Sequence, residues 1–269
     1  MVGLDAKPVN EPTGWPHQTM GWPIAISMES SSPFAYNYHA RRIRMVVRVE
    51  PLSPAGPFEK QILRTYLFLR VGIAGLAFAF PIILWIAGHR EADVGLQDSM
   101  SDYYYAAGAG FTRDAFVGIQ YAVGVFLILY QGYGKWENPL LDLAGALLIG
   151  VATFPNAQLP GLHNLCAVGF FGCIGIVCIK CAPETLKYLG NDTLEKRYRI
   201  AYRVIGIAMI ISVGAAVVLR GVIPHHIFIA ELCGIYCFSA YWFLKTIETQ
   251  KSEVDLHAVR GHLDTPQVF

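Results

Sequence analysis

The chain has 269 residues, of which 54% are hydrophobic and only 15% charged, against about 25% charged in an ordinary soluble domain. A soluble globule of this size cannot hide that much apolar surface, so a water-soluble fold is excluded as the simplest reading. Twenty-one Lys and Arg balance twenty Asp and Glu, and this near-neutral charge gives no reason to expect nucleic acid as a partner.

Residues 1–60 differ from the rest. They are rich in proline and hold Trp15, Trp22, the Ser30–Ser32 run and the basic cluster Arg41, Arg42, Arg44 and Arg48. None of this stretch has the apolar core of a secretory signal, so no cleaved signal peptide is expected. The segment reads as a largely disordered cytoplasmic arm, with the arginines placed to rest on anionic headgroups. Met45 offers an alternative start.

From Tyr66 onward the apolar runs have the length of bilayer spans, which need about 20 helical residues each. The expectation is an all-α, six-helix transmembrane bundle over residues 61–247. Its spans fall at about 65–88, 114–133, 139–155, 163–181, 199–219 and 226–246, with a cytoplasmic tail over 248–269. Runs such as Val123–Leu129 and Ile174–Ile179 have no polar stripe, which a buried helix of a soluble bundle would show. With the N-terminus inside, the inner segments collect nearly all the cations, including Lys60, Arg64, Lys135, Lys180, Lys187, Lys196, Arg197, Lys245 and Arg260. The outer loops keep Arg90, Arg113 and Arg220. This bias predicts both termini inside, with Arg70 extending its head back to the inner interface.

Small residues at helical spacing predict close packing: Gly118 and Ala122, then Gly169, Gly172 and Gly175, then Ala230 and Gly234. All six cysteines lie in the fourth and sixth spans and read as small buried residues rather than as a disulfide or metal set.

With this topology the polar residues gather at the outer side. The first outer loop carries Asp102 and Tyr103, Arg113 and Asp114 stand at the mouth of the second span, His163 opens the fourth, and His226 with Glu231 opens the sixth. Helix N-termini facing outward favour the negative charge of Asp114 and bias His163 and His226 toward the neutral form. Glu231 lies about 7.5 Å deeper than the start of its span, and its charge needs a partner such as Arg113 or His163, or a proton. The cluster has three readings. It is a satisfied polar network that ties down the loop, or a pocket for a lipid or small amphiphile, or a zinc site of Asp114, His163, His226 and Glu231 with an activated water for hydrolysis. Against the metal, His226 and Glu231 are five apart, off a common helix face.

The order Ser101-Asp102-Tyr103-Tyr104-Tyr105, then Arg113-Asp114-Ala115-Phe116-Val117-Gly118, then Tyr130-Gln131-Gly132-Tyr133-Gly134 resembles the bacterial multi-pass proteins grouped as domain of unknown function 998. Asn138–Gly145, Phe154-Pro155, His163 and Glu231 extend the likeness, which covers about residues 65–247. A fainter similarity links it to eukaryotic six-span proteins of the autophagy-modulator type. The resemblance implies a multi-pass protein of the bacterial inner membrane and carries no activity. Membrane hydrolases that include the alkaline ceramidases are a second comparison, from which the chain departs at Tyr104 or Tyr105, where a histidine is expected, and in lacking paired histidines in the last span.

The expected function is therefore non-catalytic binding or sensing of a membrane lipid or small amphiphile. The pocket comprises Asp102, Tyr103, Arg113, Asp114, His163, His226 and Glu231 and holds no cofactor. Metal-dependent hydrolysis of a lipid amide or ester is the alternative. A small transporter is less favoured, because paired broken helices in two related halves are missing.

Overall fold

The computed structural model describes residues 52–106, 110–219 and 222–263. Most of the N-terminal arm therefore lies outside the described residues, as do Arg220 and the last six positions. Among the described residues there are eight α-helices and no strands: α1 (Pro57–Ala92), α2 (Tyr103–Ala106), α3 (Phe111–Leu129), α4 (Glu137–Thr153), α5 (Pro160–Ile176), α6 (Asp192–Val218), α7 (His226–Ser252) and α8 (Val254–Val259).

The helix starts follow local chemistry. Pro57 and Pro160 stand in the first turns of α1 and α5, where a missing N–H costs nothing. The Glu59 carboxylate accepts the Gly56 N–H at 2.8 Å. At the other end of α1, Glu91 accepts from the backbone N–H groups of Phe111 and Thr112 and from the Thr112 hydroxyl, at 2.8, 2.9 and 2.6 Å. One carboxylate thus caps α3 and fastens it to α1.

Five helical stretches are long and apolar enough to cross a membrane: Pro57–Ala92, Phe111–Leu129, Pro160–Leu189, Asp192–Ala216 and His226–Ser252. Large apolar side chains lie on the outside as well as the inside. Phe68, Phe78, Ile82 and Trp85 of α1 and Ile200, Val204, Ile207 and Ile211 of α6 are all exposed. That is the surface of an integral membrane protein. The third expected span is α4, whose 17 residues reach about 26 Å at the helical rise, short of the roughly 30 Å hydrocarbon core.

Neighbouring helices close a ring. α1 packs on α3, α3 on α4, α4 on α5, α5 on α6, α6 on α7, and α7 back on α1. Their inner faces form a core that includes Ile73, Leu127, Leu141, Phe170, Ile174, Phe238 and Trp242.

The helices differ from the hydropathy spans at their polar ends. α6 starts at Asp192 rather than 199, and α7 runs to Ser252 rather than 246. A hydropathy window stops where charge begins, whereas a helix continues while its polar side chains find partners. The fourth span is not one regular helix: α5 passes into a π-helical turn (Val177–Cys181) and then a 3-10 stretch (Ala182–Leu189) that ends at Gly190 with φ 61°. After 248 the chain stays folded onto the bundle as far as Val259. Glu253, at φ 51°, reverses the chain, and α8 returns with Val254, Asp255, Leu256 and His257 buried against the bundle.

The six cysteines are free, four of them buried. Of the small residues expected at interfaces, Gly169 faces Leu147, Gly175 faces Ile210, and Gly234 faces Phe171 and Ser212, but Gly118 and Gly172 face open space. The tightest crossing lies elsewhere, where Gly145 of α4 meets Gly124 of α3. A Cβ at position 145 would stand 2.5 Å from the Gly124 carbonyl oxygen, and one at 124 would stand 2.9 Å from that of Gly145. Gly145→Ala must push two backbones apart, and is expected to lower stability by about 1–3 kcal/mol. Gly118→Ala should stay within about 0.5 kcal/mol. Unfolding by SDS in mixed micelles compares the two, and equal effects would show that the crossing is looser than described.

Candidate functional site

Two buried polar clusters occupy opposite ends of the ring. The first lies at the end that carries the loop between α1 and α3. There Met100 and Ser101 close a cavity whose walls are Ala77 and Phe80 of α1, Phe116, Ile119 and Val123 of α3, Leu148 and Val151 of α4, Ala167, Phe170 and Phe171 of α5, and Ile235 and Phe238 of α7. The cavity is small, about 80 Å³, and partly open, below the roughly 300–1,000 Å³ of pockets that enclose a whole drug-sized ligand.

Four polar residues interrupt these apolar walls: Ser101, Gln120, His163 and Glu231. Ser101 is occupied, its hydroxyl 3.0 Å from that of Ser99. Glu231 accepts the Met100 N–H through Oε2 at 2.6 Å, which leaves Oε1 without a protein partner among the described residues. His163 is buried, with Nδ1 2.9 Å from the carbonyl oxygen of Phe154. A carbonyl can only accept, so the proton sits on Nδ1, and a neutral ring presents Nε2 as an acceptor. Gln120 is 6% exposed and its Oε1 has no partner, a costly state for a buried amide.

The seven expected site residues therefore separate. His163 and Glu231 share the cavity. His226 lines a neighbouring groove between α5, α6 and α7, which also includes Glu231, Ala167 and Phe171. Asp102 is a local cap, accepting the Ser99 N–H at 3.0 Å while its own N–H bonds the Ser99 hydroxyl. Tyr103 is fully buried beneath the loop, packed against Phe228 with its hydroxyl 3.4 Å from the Gly95 carbonyl oxygen. Arg113 and Asp114 are outside the cavity; they lie 3.9 Å apart, Arg113 half-buried and Asp114 exposed, and the Arg113 head covers the Tyr104 ring. Neither acid orients Arg113 toward the cavity, and the partner of Glu231 is a backbone amide. Among the described residues no three His, Cys, Asp or Glu side chains converge as metal ligands.

Gln120 is not among the residues expected from the sequence, where its one signal is an uncharged amide within the apolar run Val117–Val123.

No family model, curated protein or solved structure matches the chain. The case for a function rests on the two clusters themselves.

The second cluster, at the opposite end, is denser. Arg70 is fully buried and forks onto Asp255 of α8, with Nη1 to Oδ1 at 3.1 Å and Nη2 to Oδ2 at 2.5 Å. Its Nη1 also donates to the hydroxyls of Tyr133 and Tyr130, at 3.1 and 3.4 Å, and the Tyr133 hydroxyl donates to Asp255. Burial holds the Tyr133 phenol well above its ordinary pKa, so it remains a donor. A second pair, Lys245 and Glu248, is fully buried at 2.9 Å, with Thr185, Tyr202 and Ser252 donating to the same carboxylate. The Lys245 head lies 5.2 Å from the centre of the Tyr133 ring, joining the two pairs into one network. Arg70 therefore turns inward to α8 rather than out to an interface. With its ionic partners matched, this cluster fastens α1, α7, α8 and the 3-10 stretch together.

Proposed function

We propose that the chain is a six-span inner-membrane protein with both termini in the cytoplasm, and that it binds a small amphiphile in the cavity of the outer half. The observation that carries this reading is a cavity with apolar walls in which the buried Gln120 amide oxygen has no protein partner and Glu231 and His163 stand in the same wall. An unpaired buried amide oxygen in such a place is expensive unless something binds it. An apolar body with a hydrogen-bonding head matches the walls and the polar groups together. The groove shared by His226 and Glu231 gives such a molecule a way in from between α5, α6 and α7.

Native mass spectrometry of the protein in mild detergent is the direct test. An amphiphile-sized adduct is expected on the wild type and is expected to be lost in Ala167→Phe, which places a ring at the junction of cavity and groove. A wild type with no adduct, or an adduct that survives in Ala167→Phe, would remove the cavity from consideration.

A further inference from the structure

The polar groups of the cavity share one character, and it narrows the ligand's chemistry. Glu231 is the only acidic residue in the cavity wall, and no Lys or Arg stands in that wall. The nearest expected cation, Arg113, is at the surface with Asp114. The single bond that Glu231 receives comes from a neutral backbone N–H and goes to one oxygen. His163 stands in the same wall with Nδ1 donating to the Phe154 carbonyl, so Nε2 is the ring atom left to a ligand. Gln120 is a buried amide whose oxygen lacks a donor. The cavity wall thus holds one acid, no lysine or arginine and one unpartnered buried acceptor, and a cationic donor would meet both the acid and the acceptor.

We infer that the cavity takes a long-chain amine, held as the ammonium ion by Glu231, with His163 and Gln120 accepting its remaining N–H bonds. The inference rests on the cavity being a binding site, and it goes further by fixing the head as a cationic donor. An ammonium has three N–H donors and no acceptor, which suits a wall whose acid is Glu231 and whose unpartnered buried atom is the Gln120 oxygen. The near end of its alkyl chain suits walls built from Phe80, Phe116, Phe170 and Phe238, and the rest leaves through the open side. A carboxylate head would meet Glu231 with like charge, and an ester head would bring acceptors to a place already full of them.

The test is competition for the purified protein in mild detergent, with equimolar dodecylamine, methyl dodecanoate and dodecanoate, read by native mass spectrometry. Dodecylamine is expected to exceed each of the others in occupancy by roughly tenfold or more, the size of one charge-assisted hydrogen bond. Glu231→Gln is expected to remove that preference. If the ester or the carboxylate matches the amine, or if Glu231→Gln keeps the preference, the amine assignment is overturned while the cavity stands as a binding site. If none of the three binds, both fall. Where Glu231→Gln does not fold, the ranking on the wild type decides alone.

Discussion

Replacing Arg70 with methionine is expected to lower the free energy of unfolding by about 3–5 kcal/mol, read from SDS titration in mixed micelles. The reason lies less in the lost attraction than in what remains. Arg70 has no exposed surface and gives both terminal nitrogens to Asp255. Without it, Asp255 keeps only the Tyr133 hydroxyl as a side-chain donor, and a carboxylate away from water with one neutral donor is poorly compensated. α8 is six residues long, too short to be stable alone, and it stays in place through that contact and its buried apolar side chains. A double variant, Arg70→Met with Asp255→Leu, is expected to recover most of the loss, since exchanging a buried pair for apolar residues is often close to neutral. If the single variant costs less than about 1 kcal/mol, the value of an exposed pair, Arg70 is solvated rather than enclosed.

The contact between residues 70 and 255 also shows where reading the sequence alone stops. Five of the six apolar runs correspond to helices long enough to span, because burial in lipid demands an uninterrupted apolar stretch and such a stretch is visible in one dimension. The common level of His163 and Glu231 was also legible, since both follow from helix rise and chain direction. What was not legible depends on pairing at a distance. Arg70 read as a cation reaching for an interface because its partner lies 185 positions away, on a helix too short and polar for any hydropathy signal. The same blindness shortened α7, where Lys245, Glu248 and Ser252 look like a solvated end until their partners are known. Arg113 erred in the other direction. Its neighbours in the sequence suggested a pocket, yet its side chain covers Tyr104 at the surface, because a cation beside open solvent gains little by turning inward.

The Lys245–Glu248 pair gives a prediction in which the order of two effects matters as much as their size. Both substitutions, Lys245→Met and Glu248→Leu, break a pair with no exposed surface and belong in the range of about 3–5 kcal/mol. Their remainders differ. After Lys245→Met the carboxylate of Glu248 still accepts from Thr185, Tyr202 and Ser252, at 3.1, 3.3 and 3.2 Å. After Glu248→Leu the ammonium of Lys245 keeps one hydrogen bond, to Thr185 at 2.7 Å, and the faces of Tyr133 and Tyr202 at 5.2 and 5.9 Å. Those rings return about 2 kcal/mol to a desolvated cation, but the Tyr202 hydroxyl loses its acceptor and offsets part of that gain, while Thr185 and Ser252 fall back on the carbonyl oxygens of Ala182 and Thr249. Glu248→Leu is therefore expected to be the more damaging of the two, by the same SDS titration. In the double variant the two losses should fall short of their sum by more than 1 kcal/mol, since residues in one network do not act independently. The reverse order would mean that the lysine is the group the network is built around, with the hydroxyls of Thr185, Tyr202 and Ser252 turned to other partners.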